Sequence, residues 1–287
     1  MPGTFANPKA QERYFAAYAE ALRKWPVPAE ERDVETKFGP TRVRSSGPAG
    51  GTPIVLLHGV MGSSLSWYPH LAELAARHPV YAIDSIGEPG HSVETVAVRT
   101  DDDLAEWLSE VLDSLGHEKV CLAGVSRGGF LALNLATRSP GRIAGVIGLE
   151  PAGFAAINVA KFVLWALKEI GPWLLPAAIQ RRIVAGDPEV RRTLRPLLFA
   201  TFAYKAQLPP QHVFTDNELR AIEVPVLLVL GERSHIHRAR EVADRVAALK
   251  NPRIRTEIVP GATHALTLQQ PGLVTARVLD FAEANPG

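Results

Sequence analysis

The sequence predicts an α/β protein: a mostly parallel, eight-stranded sheet covered by helices on both faces. Short apolar runs such as Ile54–Leu57 and Val120–Ala123 recur along the 287 residues, and a strand that is apolar at successive positions is one buried on both faces. These runs alternate with helix-forming segments, the order that returns each strand parallel to the one before it. The chemically distinctive residues His58, Ser126, Glu150, Glu232 and His264 all lie just beyond such runs, at the carboxyl ends of strands, where parallel sheets bind ligands.

The chain opens with a helix expected over Pro8–Lys24 and stopped at Trp25-Pro26-Val27-Pro28, since proline disfavours helix in the residue before it. Val34–Phe38 and Thr41–Ser45 read as a hairpin around Gly39-Pro40. A Gly/Pro-rich link, 47–53, leads to the strand Ile54–Leu57, after which His58-Gly59-Val60-Met61-Gly62 turns into a helix expected over Ser66–Arg77. Val80–Ile83 is the next strand and Asp84–Ser92 a glycine-bearing loop. The helix expected over Asp101–Leu115 opens with three aspartates, which suit the positive end of a helix. Strand Val120–Ala123, helix Phe130–Thr137 and strand Ile143–Leu149 follow. Beyond a long helical insertion come strand Val226–Leu230, helix Ala239–Leu249, strand Ile254–Val259 and a last helix over Pro271–Ala284.

Composition narrows the function. Lys plus Arg number 31 against 30 acidic residues, for a formal charge of +1, and no dense basic tract occurs, so nucleic acid is not an expected partner. The single cysteine, Cys121, falls in a central strand, where it acts as a small buried hydrophobe. The segment Met1–Trp25 has no apolar core behind basic residues, so it does not read as a secretory signal and a cytoplasmic protein is expected. The most apolar window, Phe154–Ile179, is interrupted by Lys161, Lys168, Glu169, Gly171, Pro172 and Pro176, which argues against a membrane span.

Chemistry concentrates on Lys119–Asn134. Gly124-Val125-Ser126-Arg127-Gly128 fits G-x-S-x-G between a strand and a helix, a cramped turn on which a side chain at either glycine would collide with its neighbours. The serine hydroxyl is pushed out of the sheet, and the free N–H groups and positive dipole of the following helix face it. Alone, so short a pattern also occurs by chance. A serine hydroxyl is a poor nucleophile until a base takes its proton, and imidazole does this near neutral pH. Of nine histidines, His264 in Pro260-Gly261-Ala262-Thr263-His264 follows the last strand, where the chain order serine, acid, histidine places the base. His70, His78, His91, His117, His212, His235 and His237 are read as structural or exposed. His235 and His237 alternate in one loop, but two ligands without a third do not make a metal site, and no metal is expected. Two carboxylates compete for the acid: Glu150 in Gly148-Leu149-Glu150-Pro151, right after a strand, and Glu232 in Gly231-Glu232-Arg233-Ser234. Asp84 precedes the serine, which breaks the chain order, and is read as bracing its loop.

In order and spacing these motifs resemble α/β-hydrolase-fold enzymes over nearly the whole chain. The residues that carry the resemblance are His58-Gly59, the G-x-P-G-x-S loop Gly87–Ser92, the turn around Ser126, Gly231-Glu232 and Pro260–His264. An amino-terminal helix followed by Trp25-Pro26-Val27-Pro28 makes the chain most similar to bacterial serine carboxylesterases. The resemblance implies acyl transfer through a covalent intermediate, with Ser126 as nucleophile and His264 as base. It implies backbone N–H groups of Val60 and Arg127 as oxyanion donors, typically worth about 3 kcal/mol each. It leaves the Arg127 guanidinium as a surface or supporting group and His58 as a structural residue. The partner implied is a small-molecule ester, without cofactor, nucleic acid or membrane, and a homodimer is the candidate assembly. Many relatives carry an aspartate two or three positions beyond the glycine after the penultimate strand, whereas Ser234 stands there in this chain. Some α/β hydrolases, haloalkane dehalogenases among them, take the acid from the strand end that Glu150 occupies. Glu150 is therefore the favoured acid, Glu232 the alternative, and a triad without a proper acid the third reading. A serine nucleophile argues against dehalogenase or epoxide hydrolase chemistry, which needs a carboxylate.

Residues 152–221 are expected to form a helical cap, inserted after the sixth strand between the core segments 1–151 and 222–287. Phe162, Val163, Trp165, Leu167, Trp173, Leu174 and Leu175 supply apolar surface, while Asn158, Lys161, Lys168 and Glu169 recur at near-helical spacing. Met61, Phe154 and Trp165 are the candidate pocket residues. With no charged cluster to recognise phosphate, coenzyme A or a peptide backbone, the expected substrate is a modest, largely uncharged ester. Two classes of function remain. One is a serine carboxylesterase, with lactone, thioester or carbon–carbon bond hydrolysis as variants; the other is a ligand-binding relative that keeps the pocket and turns over slowly.

Overall fold

The computed structural model describes residues 2–156, 167, 171–175, 179–180 and 186–286. Its strands are β1 (Thr4–Phe5), β2 (Glu30–Val34), β3 (Thr41–Ser46), β4 (Ile54–Leu57), β5 (Val80–Ile83), β6 (Val120–Val125), β7 (Ile143–Leu149), β8 (Tyr204–Lys205), β9 (Val226–Gly231) and β10 (Ile254–Val259). Eight of them make one sheet in the order β10-β9-β7-β6-β4-β5-β3-β2. It is parallel from β10 to β5 and antiparallel only where β3 and β2 join. The helices whose full extent lies among the described residues are α1 (Pro8–Leu22), α2 (Leu71–Ala75), α3 (Asp101–Ser114), α4 (Arg127–Arg138), α5 (Pro188–Thr201), α6 (Asp216–Arg220), α7 (Ala239–Leu249), α8 (Leu266–Gln269) and α9 (Pro271–Ala284).

Period-two alternation sorts each central strand between two cores. Val55 and Leu57 of β4 and Val120 and Leu122 of β6 join the cluster under α3, α4 and α7. Ile54 and Leu56, with Cys121 and Ala123, join the opposite cluster under α2 and α9. Because both faces are covered, neither set of positions can be polar, which is why these strands read as unbroken apolar runs. Burial pushes the Cys121 thiol up to about 12, so it stays protonated and inert.

Two elements differ from the sequence reading. The hairpin's first strand is β2, upstream of the expected Val34–Phe38, with Val34 paired to Thr41. It is a polar edge strand held by ion pairs, Arg42 to Asp33 at 2.6 Å and to Glu31 at 2.7 Å, so it carries no hydrophobic alternation. The helix expected over Ser66–Arg77 is broken into a 3-10 turn, Ser64–Trp67, and the short α2. Pro69 stands between them and lacks the N–H that a continuous helix needs at that point.

The amino-terminal segment also has a partner the sequence did not announce. β1 pairs antiparallel with β8, and Tyr14, Tyr18 and Ala21 of α1 pack with Val190, Leu194 and Leu197 of α5 and with Leu65. The Asn7 side chain caps α1 by accepting from Ala10 N–H at 2.9 Å. Among the described residues no helix is long and apolar enough to cross a membrane.

Candidate active site

Ser126 joins β6 to α4 with φ 50° and ψ −110°, a region that costs a residue with a Cβ roughly 1–3 kcal/mol. Neighbouring structure imposes it. The Ser126 N–H donates to Leu149 O at 3.0 Å, and its carbonyl accepts from Phe130 N–H and Ala152 N–H, both at 3.0 Å. The flanking glycines are steric necessities. A Cβ on Gly124 would lie 2.3 Å from the Gly128 backbone, and one on Gly128 would lie 2.2 Å from Leu57 O. The hydroxyl therefore stands at the top of the central strand, beside the unsatisfied N–H groups that open α4.

His264, in the loop after β10, places Nε2 at 3.1 Å from Ser126 Oγ. Its Nδ1 lies 3.1 Å from Glu150 Oε2. A carboxylate only accepts, so Nδ1 carries the ring proton and the Nε2 lone pair faces the serine hydroxyl. Glu150 leaves β7 at φ 53°, with its N–H donating to Val229 O at 2.8 Å, and its side chain is buried. Its Oε1 accepts from Gly231 N–H, and its Oε2 also accepts from Ser234 Oγ at 2.5 Å. Ser234, at the position where many relatives carry an aspartate, thus hydrogen-bonds the carboxylate that arrives from β7. Gly231 is required for the approach of the two loops, since a Cβ there would meet Ala262 O at 2.7 Å and Thr263 O at 2.8 Å.

The alternative acid, Glu232, is exposed and accepts from Gly261 N–H at 2.9 Å, bracing the loop that carries His264. Asp84 is buried and accepts from Ser64 N–H at 2.8 Å, Tyr18 Oη at 2.8 Å and His91 N–H at 2.9 Å. Burial pushes its carboxyl up, but Arg44 and these donors outweigh burial and hold it below the usual range. His237, among the histidines expected to be structural or exposed, is buried with Nε2 3.8 Å from Glu150 Oε2. Burial lowers its pKa against the opposing pull of Glu150, with His264 adding to the depression, so the ring is neutral at neutral pH. Nothing in the alternation of His235 and His237 distinguishes the one that turns inward.

On the far side of Ser126, Gly62 N–H donates to Gly59 O at 3.0 Å and closes a turn with Val60 and Met61 at its centre, Met61 at φ 58°. Val60 is exposed, and among the described residues its N–H has no acceptor. His58 ties this turn down: Nδ1 is 2.8 Å from Gly59 O, and Nε2 accepts from Ser85 N–H at 3.0 Å. The Arg127 side chain is not a surface group. It is only 4% exposed and its Nε lies 3.3 Å from Glu88 Oε1. Phe154 is buried in the main core cluster, its ring 6.2 Å from that of Phe214. Trp165 lies outside the described residues, as do Asn158, Lys161, Phe162, Val163, Lys168 and Glu169. Among the described residues no group of three or more His, Cys, Asp or Glu is placed to hold a metal ion.

A strained serine, an imidazole and a buried carboxylate in series at the carboxyl edge of a parallel sheet agree with what the comparisons find. Residues 54–278 match the alpha/beta hydrolase family. The chain belongs to that family. This hydrolase is 35% identical over 295 aligned residues to Carboxylesterase YbfK of Bacillus subtilis (strain 168), with 96% of each chain covered. The crystal structure of carboxylesterase CesB (YbfK) from Bacillus subtilis matches it with a TM-score of 0.79 at 33% identity, covering 95% of the hydrolase and 98% of that chain. The crystal structure of naproxen esterase (carboxylesterase NP) from Bacillus subtilis gives a TM-score of 0.79 at 31% identity, covering 94% and 97%.

Proposed function

We propose that this hydrolase cleaves carboxylic esters through an acyl-enzyme on Ser126. The observation that carries the reading is the unbroken relay in which His264 lies 3.1 Å from both Ser126 Oγ and Glu150 Oε2. Ser126 Oγ attacks the ester carbonyl carbon while Nε2 of His264 takes the hydroxyl proton. The carbonyl oxygen becomes an oxyanion held by the backbone N–H groups of Val60 and Arg127, donors fixed before the charge develops. The intermediate then expels the alcohol, which receives its proton from the imidazolium. A water deprotonated by His264 next attacks the acyl carbon and releases the acid, returning the proton to Ser126. Glu150 holds the ring tautomer and stabilises the imidazolium, which removes the motive for a slow-turnover reading based on the missing aspartate.

Residues 152–221 act in this account as a cap over the cleft, excluding water and receiving the apolar part of the substrate. Leu167, Leu175 and Ile179 are exposed apolar side chains of this segment, and with the apolar side chains of Val60, a proposed donor, and its neighbour Met61 they favour a modest, largely apolar ester. Short-chain p-nitrophenyl esters test the reading. Ser126→Ala is expected to lower kcat by about a millionfold, whereas measurable turnover by the purified variant would refute it.

A further inference from the structure

Glu88 belongs to the loop between β5 and α3, and nothing in the sheet requires a charge there. Its side chain is nevertheless 1% exposed. Burying a carboxylate is unfavourable unless specific partners receive it. Glu88 has two, one on each of the two segments that carry the proposed oxyanion donors. Oε2 accepts from Met61 N–H at 2.9 Å, and Oε1 lies 3.3 Å from Arg127 Nε. Met61 directly follows Val60 in the turn closed by Gly59 and Gly62, and Arg127 is the first residue of α4. One carboxylate therefore touches the neighbour of one proposed donor and the side chain of the other.

The turn needs such a tie. Met61 holds φ 58°, a left-handed conformation that is unfavourable for a residue with a Cβ. Glu88 gives its N–H a charged acceptor in that conformation, and charge-assisted bonds of this kind are roughly twice as strong as neutral ones. The Arg127 contact is less well aligned. Arg127 Nε and Nη2 and Glu88 Oε1 make no hydrogen bond in the geometric sense, so the pair is held by charge in a buried site. Burial pushes the Glu88 carboxyl up, against Arg127, His58 and the Met61 N–H, and it pushes the Arg127 guanidinium down. A buried, incompletely bonded charge pair beside the nucleophile is the kind of arrangement kept for function more than for stability.

The geometry points to Glu88 as a positioning residue for ester hydrolysis, one that sets the spacing of the two oxyanion donors by binding the Val60–Met61 turn and the start of α4 at once. Two variants separate its parts. Glu88→Gln keeps a carbonyl oxygen for Met61 N–H but sets an uncharged NH2, a donor, against the Arg127 guanidinium; Glu88→Leu removes both ties. Because the inference rests on the esterase reading, wild-type turnover and labelling of Ser126 by a p-nitrophenyl phosphonate are measured first. An inert, unlabelled wild type ends that reading whatever the variants do.

With an active wild type, Glu88→Leu is expected to lower kcat about a hundredfold, as loss of one oxyanion donor does. Glu88→Gln is expected to lose about tenfold or less, retaining the stronger tie. KM stays within about twofold in both, since a displaced donor weakens the transition state and not the ground state. The rate of phosphonate inactivation, which also builds charge on that oxygen, falls in step. Thermal melting reports folding, and Glu88→Gln decides the matter if the leucine variant does not fold. A kcat within about twofold of wild type in a folded Glu88→Leu protein, or a loss confined to KM, overturns the inference. Unfolding of both variants overturns it too, leaving Glu88 a stabilising residue only.

Discussion

Replacing Glu150 by glutamine tests the origin of the acid, and its effect follows from the donors around it. Oε1 faces Gly231 N–H, while Oε2 faces His264 Nδ1 and the Ser234 hydroxyl. A glutamine can turn either way. With its oxygen toward His264, its NH2 meets Gly231 N–H, two donors face to face in a buried site, at a cost of about 1–3 kcal/mol. With its oxygen toward Gly231, the NH2 donates to His264 Nδ1, and Ser234 can rotate to accept the other hydrogen. The second arrangement wins. It forces the imidazole proton onto Nε2, which then donates to Ser126 Oγ and cannot take its proton. Wrong-tautomer loss in serine hydrolases is about ten-thousandfold in kcat, or roughly 5 kcal/mol at 1.36 kcal/mol per tenfold. A small population of the first arrangement brings the expected loss here to about a thousand- to ten-thousandfold. Stopped-flow release of p-nitrophenol reads acylation directly, with melting as the control for folding. Glu232→Gln serves as the comparison and is expected to stay within about threefold, since an exposed carboxylate hydrogen bond contributes little. An acylation rate for Glu150→Gln within tenfold of wild type, or a larger loss from Glu232→Gln, refutes the reasoning.

Two further outcomes concern the scaffold. Gly128→Ala drives a Cβ to 2.2 Å from Leu57 O, a backbone atom with no room to move, so a loss of about 3 kcal/mol or more is expected, read as a melting point lower by about 6–12 °C; an unchanged melting point contradicts the steric account of the turn. Burial holds the His70 imidazole down at about 4 from its ordinary 6.5. The folded state then binds this proton less readily than the unfolded one, so the stabilisation is complete above pH 6.5 and lost as pH falls towards 4, about 3 kcal/mol in all. Urea midpoints between those pH values should flatten in His70→Gln, and an unaltered slope removes His70 as the source.

The parts legible in the sequence are those whose physics is local. Ile54–Leu57, Val80–Ile83 and Ile143–Leu149 stand where the apolar runs place them because each is buried on both faces. The turn at Ser126 was legible because Gly124 and Gly128 admit no other side chain. Glu150 could be named from its place after β7, but not its engagement with Gly231 and Ser234, which depends on how the β9 loop folds back. The polar strand Glu30–Val34 carried no pattern because its stability comes from Arg42 and Arg44 across the edge. For Arg127 and His237 the sequence leaves a surface and a structural reading both open, because the carboxylates that settle their burial, Glu88 and Glu150, are distant in sequence. The pairing of Thr4–Phe5 with Tyr204–Lys205 is two residues long and spans nearly the whole chain, so no local signal marks it.

The central claim is that one hydroxyl becomes covalently acylated, and a phosphonate ester mimicking that step tests it most directly. Peptide mass spectrometry after treatment with a p-nitrophenyl alkylphosphonate is expected to find a single adduct on Ser126, its occupancy rising in proportion to the turnover lost. Full occupancy of Ser126 with ester hydrolysis persisting, or inactivation with the adduct on another residue, would contradict the account.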